Sequence, residues 1–262
     1  MPSAWRPPLT WFARGLPVVV ALAVWEGIAR SGLVNPRLFP RLAAIAEQLV
    51  VLVESQQIGL HLGASLTRVV VGFGLAAVVG VPLGILMSRV ALFGRVVEPV
   101  FSFGYPIPRI ALYPIAVFLF GIGHLSKVVL VALECLYPIA INTYYGVRGV
   151  NRLYVWSAQN MGATRAQVIF KVMAPAAAPY VFAGLRIALP IAFIITVLTE
   201  MVSSTEGLGW VILYSSASLV QARVFAGVAI VAAVGFVMDR LLARLRNRLI
   251  FWEKETVLVG IR

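Results

Sequence analysis

The sequence predicts an all-α polytopic membrane protein of about six transmembrane helices. Three observations predict it. Of 262 residues, 61% are hydrophobic and 12% charged, against about 45–50% and about 25% in soluble domains. The mean hydropathy is +0.94, and uncharged stretches of spanning length recur along the chain. Lysine and arginine number 22 against 10 acidic residues, and their distribution along the chain is uneven. A water-soluble core of this length cannot cover so much apolar side chain, so lipid must be part of the solvent.

The first span is expected over about residues 10–30, with Arg14 and Arg30 able to snorkel at its ends. Arg6, Arg14, the apolar run Leu16–Val24 and Ala21-Leu22-Ala23 also fit a cleaved signal locally. The apolar pattern continues through Trp25 and Ile28, which favours a retained span. The second span, 67–88, contains no charge between Arg68 and Arg89. Within it Gly72, Ala76, Gly80 and Gly84 recur every four residues, lining one helix face so that another backbone can approach closely. Packing within the chain or between two copies would both use such a face.

The third expected span, 99–122, is irregular. It carries Pro99, Pro106, Pro108 and Pro114, with Arg109 in its interior. Irregular backbone at membrane depth survives only inside protein or beside a watery cavity. An arginine there marks a function by default, unless it pairs with Glu134 or Glu98 or snorkels to the surface. The remaining spans are 127–147, interrupted by Glu134; 184–203, with Glu200 near its end; and 222–241.

Six spans place both termini on one side. The N-terminus, the 89–98 loop, the 148–186 loop and the C-terminal tail hold 15 of the 22 basic residues. These are Arg6, Arg14, Arg89, Arg95, Arg148, Arg152, Arg165, Lys171, Arg186, Arg240, Arg244, Arg246, Arg248, Lys254 and Arg262. Arg30, Arg37, Arg41, Arg68, Lys127 and Arg223 fall on the other side. The positive-inside bias puts both termini and the 148–183 loop in the cytoplasm. The basic surplus therefore reads as orientation, not as a nucleic-acid surface.

Several function classes drop out. Cys135 is the single cysteine, His61 and His124 are the only histidines, and no Cys/His metal spacing exists. No phosphate-binding loop of the G-x-x-x-x-G-K-[ST] type is present. A membrane-embedded enzyme would lack any nucleophile or metal constellation.

The 148–183 loop has internal order. Asn151 suits a helix N-cap, residues 152–161 read as a short helix, and Gly162 stands at its C′ position. Thr164-Arg165-Ala166-Gln167 follows as a capping box opening a second helix to about Met173, which Pro175 and Pro179 are expected to end. Two short helices hinged at Gly162–Ala163 suit either a rigid elbow that receives force from a partner or an amphipathic loop lying on lipid.

The segment WSAQNMGATRAQVIFKVMAPAAAPYVFAGLR, residues 156–186, resembles the cytoplasmic "EAA" loop of bacterial ABC importer permeases. Trp156, Ser157 and Ala158 stand at the E-A-A positions, with Gly162 at the glycine, Val172 at the isoleucine and Ala174-Pro175 at the Leu-Pro. Trp156 replaces the usual acidic residue, which puts a salt bridge there in doubt but not the elbow. HLGASLTRVVVGF (61–73), YPIPRIALYPIAVFLFGIGHLSK (105–127), YPIAINTYYGV (137–147) and TEMVSSTEGLG (199–209) are similar to nitrate/sulfonate/taurine-type permeases.

That resemblance implies a type I ABC importer permease fold, with residues 1–262 a single multi-pass domain in the bacterial inner membrane. It implies a second permease subunit, commonly an identical copy, a pair of ATP-binding chains that carry ATP and magnesium, and a periplasmic solute-binding protein. Trp156, Ser157, Ala158, Met161, Gly162, Ala163, Thr164 and Arg165 would form the coupling surface toward the ATPase. The translocation candidates are the polar groups expected at membrane depth: Arg109, Glu134, Tyr137, Asn142 and Glu200. Small anions or small polar organics are the implied solutes. The rival reading is an ion-driven secondary carrier or channel with Glu134 and Glu200 as proton sites, although the paired repeats common in such carriers are missing from the sequence.

Overall fold

A computed structural model of the protein describes residues 9–55, 57–104 and 107–252. Pro106 and the basic residues Arg6, Lys254 and Arg262 lie outside them. The described residues are helical and contain no strand. In order they form α1 (Leu9–Arg30), α2 (Leu42–Glu54), α3 (Gln57–Arg89), α4 (Ala91–Gly104), a 3-10 turn (Arg109–Leu112), α5 (Tyr113–Phe120), α6 (His124–Arg148) and α7 (Arg152–Asn160). A short α8 (Arg165–Gln167), a π-helical turn (Val168–Met173), α9 (Ala174–Val202), α10 (Leu208–Ala217) and α11 (Gln221–Leu249) complete the chain.

Four helical runs among the described residues are long and apolar enough to cross a membrane: Gln57–Arg89, His124–Arg148, Arg165–Val202 and Gln221–Leu249. The other two expected spans fall on α1 and on the irregular stretch from α4 to α5. That stretch breaks where the prolines cluster. Pro99 lies inside α4, Pro108 caps the 3-10 turn and Pro114 sits in the first turn of α5, where its missing amide leaves no helical bond unmade.

The chain divides into two compact units. The first comprises Met1–Leu60 with Val211–Ile230. Here Trp25 stacks on Phe39 at 4.0 Å, meets Phe225 edge-on at 5.1 Å, and donates its indole N–H to the Pro40 carbonyl at 3.1 Å. Arg41 provides no side-chain cap for α2, and Glu26 takes over by accepting from the Leu42 amide at 2.9 Å. The stretch after Arg30, read from sequence as a loop, thus contains a helix fixed by a carboxylate from α1.

The second unit comprises His61–Trp210 with Val231–Arg262. Its core lies among α3, α6 and α9 and includes Val69, Ala76, Leu130, Val131, Cys135, Ile139, Ala188 and Ala192. The small-residue face of α3 is the contact surface toward α6. A Cβ at Gly72 would stand 2.7 Å from Val131 Cβ, and one at Gly80 would stand 3.0 Å from Ile139 Cγ2. Gly84 faces Ala140 and Thr143, and Ala76 is buried in the same row. Gly184 repeats the device on α9, where an added Cβ would come within 2.8 Å of the Pro138 carbonyl of α6.

Two expectations change here. Pro175 and Pro179 do not end the helix that Thr164 opens; Arg165–Val202 is one helical run of 38 residues. The physical reason is the π turn at Val168–Met173. Its wider register ahead of Pro175 relieves the contact between the ring and the preceding carbonyl. Pro179 lies inside α9 without ending it. The second change concerns Arg68 and Lys127, read from sequence as span boundaries. Both lie inside helices and are buried.

Candidate functional site

Three polar regions of the second unit carry the functional argument. The first is the elbow at residues 151–173. Asn151 Oδ1 accepts from the Leu153 amide at 2.9 Å and starts α7. The helix ends with Gly162 at φ +83°. The Gly162 amide donates to the Gln159 carbonyl at 2.9 Å, and the Ala163 amide to Ala158 at 3.0 Å, which is the paired bonding of a Schellman stop. Thr164 and Gln167 then close a reciprocal capping box at 2.8 and 3.3 Å.

The elbow is pinned to the bundle by a small core of Val147, Val168, Met173 and Ala177, with Val155, Ala158 and Ala163 packed against it. Ala158 and Ala163 therefore face inward. Trp156, Ser157, Met161, Gly162, Thr164 and Arg165 face outward, and Met161 is 87% exposed. A protruding methionine beside a fixed turn is an apolar contact offered to something outside the chain.

The second region gathers three of the five translocation candidates. Arg109 Nη1 donates to Glu134 Oε2 at 3.1 Å, and its guanidinium lies 5.8 Å from the centroid of the Tyr137 ring. Phe101 stacks on Tyr137, with ring centroids 5.6 Å apart. Arg109 and Glu134 keep 17% and 16% of their side-chain surface exposed, so the pair is reachable, not sealed. Asn142 does not join it; its amide donates to the Pro138 carbonyl of its own helix at 2.7 Å.

Glu200 belongs to a third, buried cluster. It accepts from Arg68 Nη1 at 2.6 Å, from Ser65 at 2.8 and 2.9 Å, and from the Gly209 amide at 2.9 Å. Arg68 also reaches the Glu206 carbonyl at 3.1 Å and the Glu206 carboxylate at 2.8 Å. Glu206 in turn meets His124 Nε2 at 2.9 Å. The amides that lead into α10 find side-chain acceptors: Gly207, just before the helix, donates to His61 Nδ1 at 3.2 Å and Leu208 to Ser65 at 2.8 Å. Gly207, at φ +112°, has no room for a Cβ against the Glu200 carboxylate. Nearby, Lys127 Nζ donates to the Ile122 carbonyl at 2.6 Å, and Tyr113 shares a hydrogen bond with Ser203 at 2.6 Å.

Sequence reasoning reached Glu200 but missed Arg68, Ser65, His61, Lys127 and Glu206. The available signal was an arginine flanked by spanning-length apolar sequence, which demands an internal acid. No metal-holding group of His, Cys, Asp and Glu occurs among the described residues.

Membrane-length helices, a capped elbow projecting an apolar tip, and a reachable ion pair inside the bundle define a multi-pass permease component. The family of binding-protein-dependent transport system inner membrane components matches residues 80–251, and the chain belongs to that family. It is 32% identical over 243 residues to the taurine transport system permease protein TauC of Escherichia coli, covering 91% of this chain and 88% of that one. It is 32% identical over 237 residues to the putative aliphatic sulfonates transport permease protein SsuC of Bacillus subtilis, covering 90% and 86%. Among solved structures, an inward-facing form of the MetNI methionine ABC transporter matches with a TM-score of 0.61 at 19% identity. That match covers 71% of this chain and 93% of the other. The fold is that of the type I ABC importer permeases.

Proposed function

We propose that this chain forms the translocation path of an ATP-driven importer. It accepts a small anion from an external binding protein and passes it across the inner membrane by alternating access. The observation that carries this reading is the elbow. Its exposed tip is held by two caps and a left-handed glycine, and it runs without a break into the 38-residue helix Arg165–Val202. Force applied at Met161 and Arg165 is thereby delivered to a membrane-length helix and not lost in a loop. Separate ATP-binding chains supply that force, with ATP and magnesium bound on them. On this reading the elbow lies in the cytoplasm, as do both termini. Burial of Arg68 and Lys127 removes two residues from the far-side loop charges and sharpens the positive-inside contrast.

Arg109 is the proposed anion contact. Its partner Glu134 leaves part of the guanidinium open, so an incoming anion competes for a charge already held at depth. The relatives named for taurine and for aliphatic sulfonates fit a sulfonate or similar small anion. A second copy of this chain would complete the path. The secondary-carrier reading uses Glu134 and Glu200 as proton sites, but each carboxylate is already engaged by an arginine, Glu134 by Arg109 and Glu200 by Arg68.

The test is reconstitution. Uptake into liposomes should require this chain, its ATP-binding partner, ATP and the binding protein. Uptake by the purified chain alone under a proton gradient would overturn the proposal.

A further inference from the structure

Two adjoining cavities open at the ends of α3 and α6, one toward α7 and the other toward α4. The larger, about 430 Å³, is lined by Ser88, Arg89, Arg148, Arg152, Trp156 and Gln159 over an apolar floor, and no carboxylate borders it. The smaller, about 390 Å³, shares Ser88 and Arg148 and adds Arg95 and Glu98. Glu98 is engaged by Tyr144 at 3.0 Å. Arg148 donates to the same tyrosine. Arg89 and Arg152 make no hydrogen bond or ion pair with the described residues. Three guanidinium groups thus converge on one cavity whose own lining holds no carboxylate, and Glu98, in the adjoining cavity, is linked to Arg148 alone, through Tyr144.

The position of the cavity narrows its ligand. Arg89 is the last residue of α3 and Arg148 the last of α6, and both helices are of membrane-crossing length. At 25 residues α6 exceeds the hydrocarbon thickness by little, so Arg148 at its end stands close to the boundary between hydrocarbon and water, and Arg89 and Arg152 line the same cavity. Trp156, 54% exposed, is the residue type that favours this boundary. Leu86 and Val90, exposed on either side of Ser88 and Arg89, give acyl chains an apolar surface. Planar guanidinium forks match phosphate oxygens in pairs, and basic pockets between membrane helices suit anionic headgroups.

We propose that Arg89, Arg148 and Arg152 bind the phosphate of an anionic lipid, with Ser88 and Gln159 placed to hydrogen-bond its glycerol hydroxyls. A lipid held there touches Trp156 of the elbow and the ends of two membrane helices at once. This binding is independent of which solute the permease carries.

The test is native mass spectrometry of the protein complex purified from membranes, with phosphatidylglycerol and cardiolipin as probes. The wild type is expected to retain anionic lipid through detergent exchange. Arg89→Gln/Arg152→Gln should lower its affinity roughly 30-fold, a factor of about five per arginine, whereas Arg89→Lys/Arg152→Lys should retain much of it. Inorganic phosphate at millimolar concentration should not displace the lipid. Equal retention by the Gln variant would overturn the proposal. So would displacement by free phosphate, which would make this a soluble-anion site. Loss of the ATP-binding chain with unchanged lipid would assign the arginines to that partner instead.

Discussion

Arg68 meets Glu200 at 2.6 Å with 2% and 0% of their side chains exposed, and the same carboxylate accepts the Gly209 amide that opens α10. One acid near the end of α9 therefore neutralises a cation from α3 and helps to start the next helix. Burying both charges is expensive, but removing one partner is worse, because the other stays buried without compensation.

Glu200→Ala and Arg68→Ala should each destabilise the protein by about 3–5 kcal/mol. The Arg68→Met/Glu200→Leu double variant should lose less than the two single losses combined. Thermal unfolding in detergent measures both. Single variants as stable as wild type would show that the pair carries no such role.

The α3–α6 contact predicts a local asymmetry between two glycines two residues apart. Gly72→Ala meets Val131 at 2.7 Å, whereas a Cβ at Gly74 has nothing within 4 Å in this chain. Gly72→Ala should destabilise by about 1–3 kcal/mol, as overpacking does, and Val131→Ala should rescue part of that loss. Gly74→Ala should be neutral or stabilise by up to about 1 kcal/mol, because alanine gives up less backbone freedom in a helix. Unfolding midpoints of Gly72→Ala, Gly72→Ala/Val131→Ala and Gly74→Ala decide the matter.

At the elbow, Gly162→Ala must hold alanine at φ +83°, a strain of about 1–2 kcal/mol. Uptake coupled to ATP hydrolysis should fall while membrane insertion is unchanged. Gly162→Asn should be milder, since asparagine tolerates this region better. Gly162→Pro should abolish coupling. A transport assay run beside a quantitative immunoblot separates lost coupling from lost protein.

Thr164→Ala removes the acceptor for the Gln167 amide and should cost about 1 kcal/mol locally. Hydrogen exchange should quicken at residues 165–168 and remain slow in the middle of α9. Uniform quickening along the whole run would contradict a local cap.

Arg109→Gln should lower uptake of an anionic solute and leave ATP-binding-chain association intact. Arg109→Lys keeps the charge but loses the fork, so its effect should be smaller on transport than on the Glu134 contact. Dose–response curves with taurine or a sulfonate provide the readout.

The elbow was legible residue by residue because caps are local. Asn151, Gly162, Thr164 and Gln167 announce themselves within a few positions of what they bind. The glycine row on α3 was equally visible, though its partner helix was not. The Arg68–Glu200 pair joins residues 132 positions apart, and no periodicity in either segment names the other. Arg68 and Lys127 also sat where apolar runs end, so they read as edges; the helices simply begin earlier than the hydropathy does. Pro175 and Pro179 misled for the opposite reason. They obey the rule for an isolated helix, whereas a π turn changes what a helix can hold.

The π turn at Val168–Met173 has a consequence for insertions and deletions. Such a turn accommodates one residue more than regular α-helical bonding would, so it absorbs that residue and keeps the elbow in phase with the helix that follows. Deleting one residue from it would let the segment close as plain α-helix without shortening α9. Successive α-helical residues are about 100° apart around the axis. Six residues at the wider π spacing turn about the axis nearly as far as five at α-helical spacing, so the elbow's tip would keep close to its present bearing, with its caps intact. A one-residue deletion within these six residues should therefore leave the elbow's aim nearly unchanged, whereas the same deletion in the regular helix beyond them would swing the elbow by about 100°.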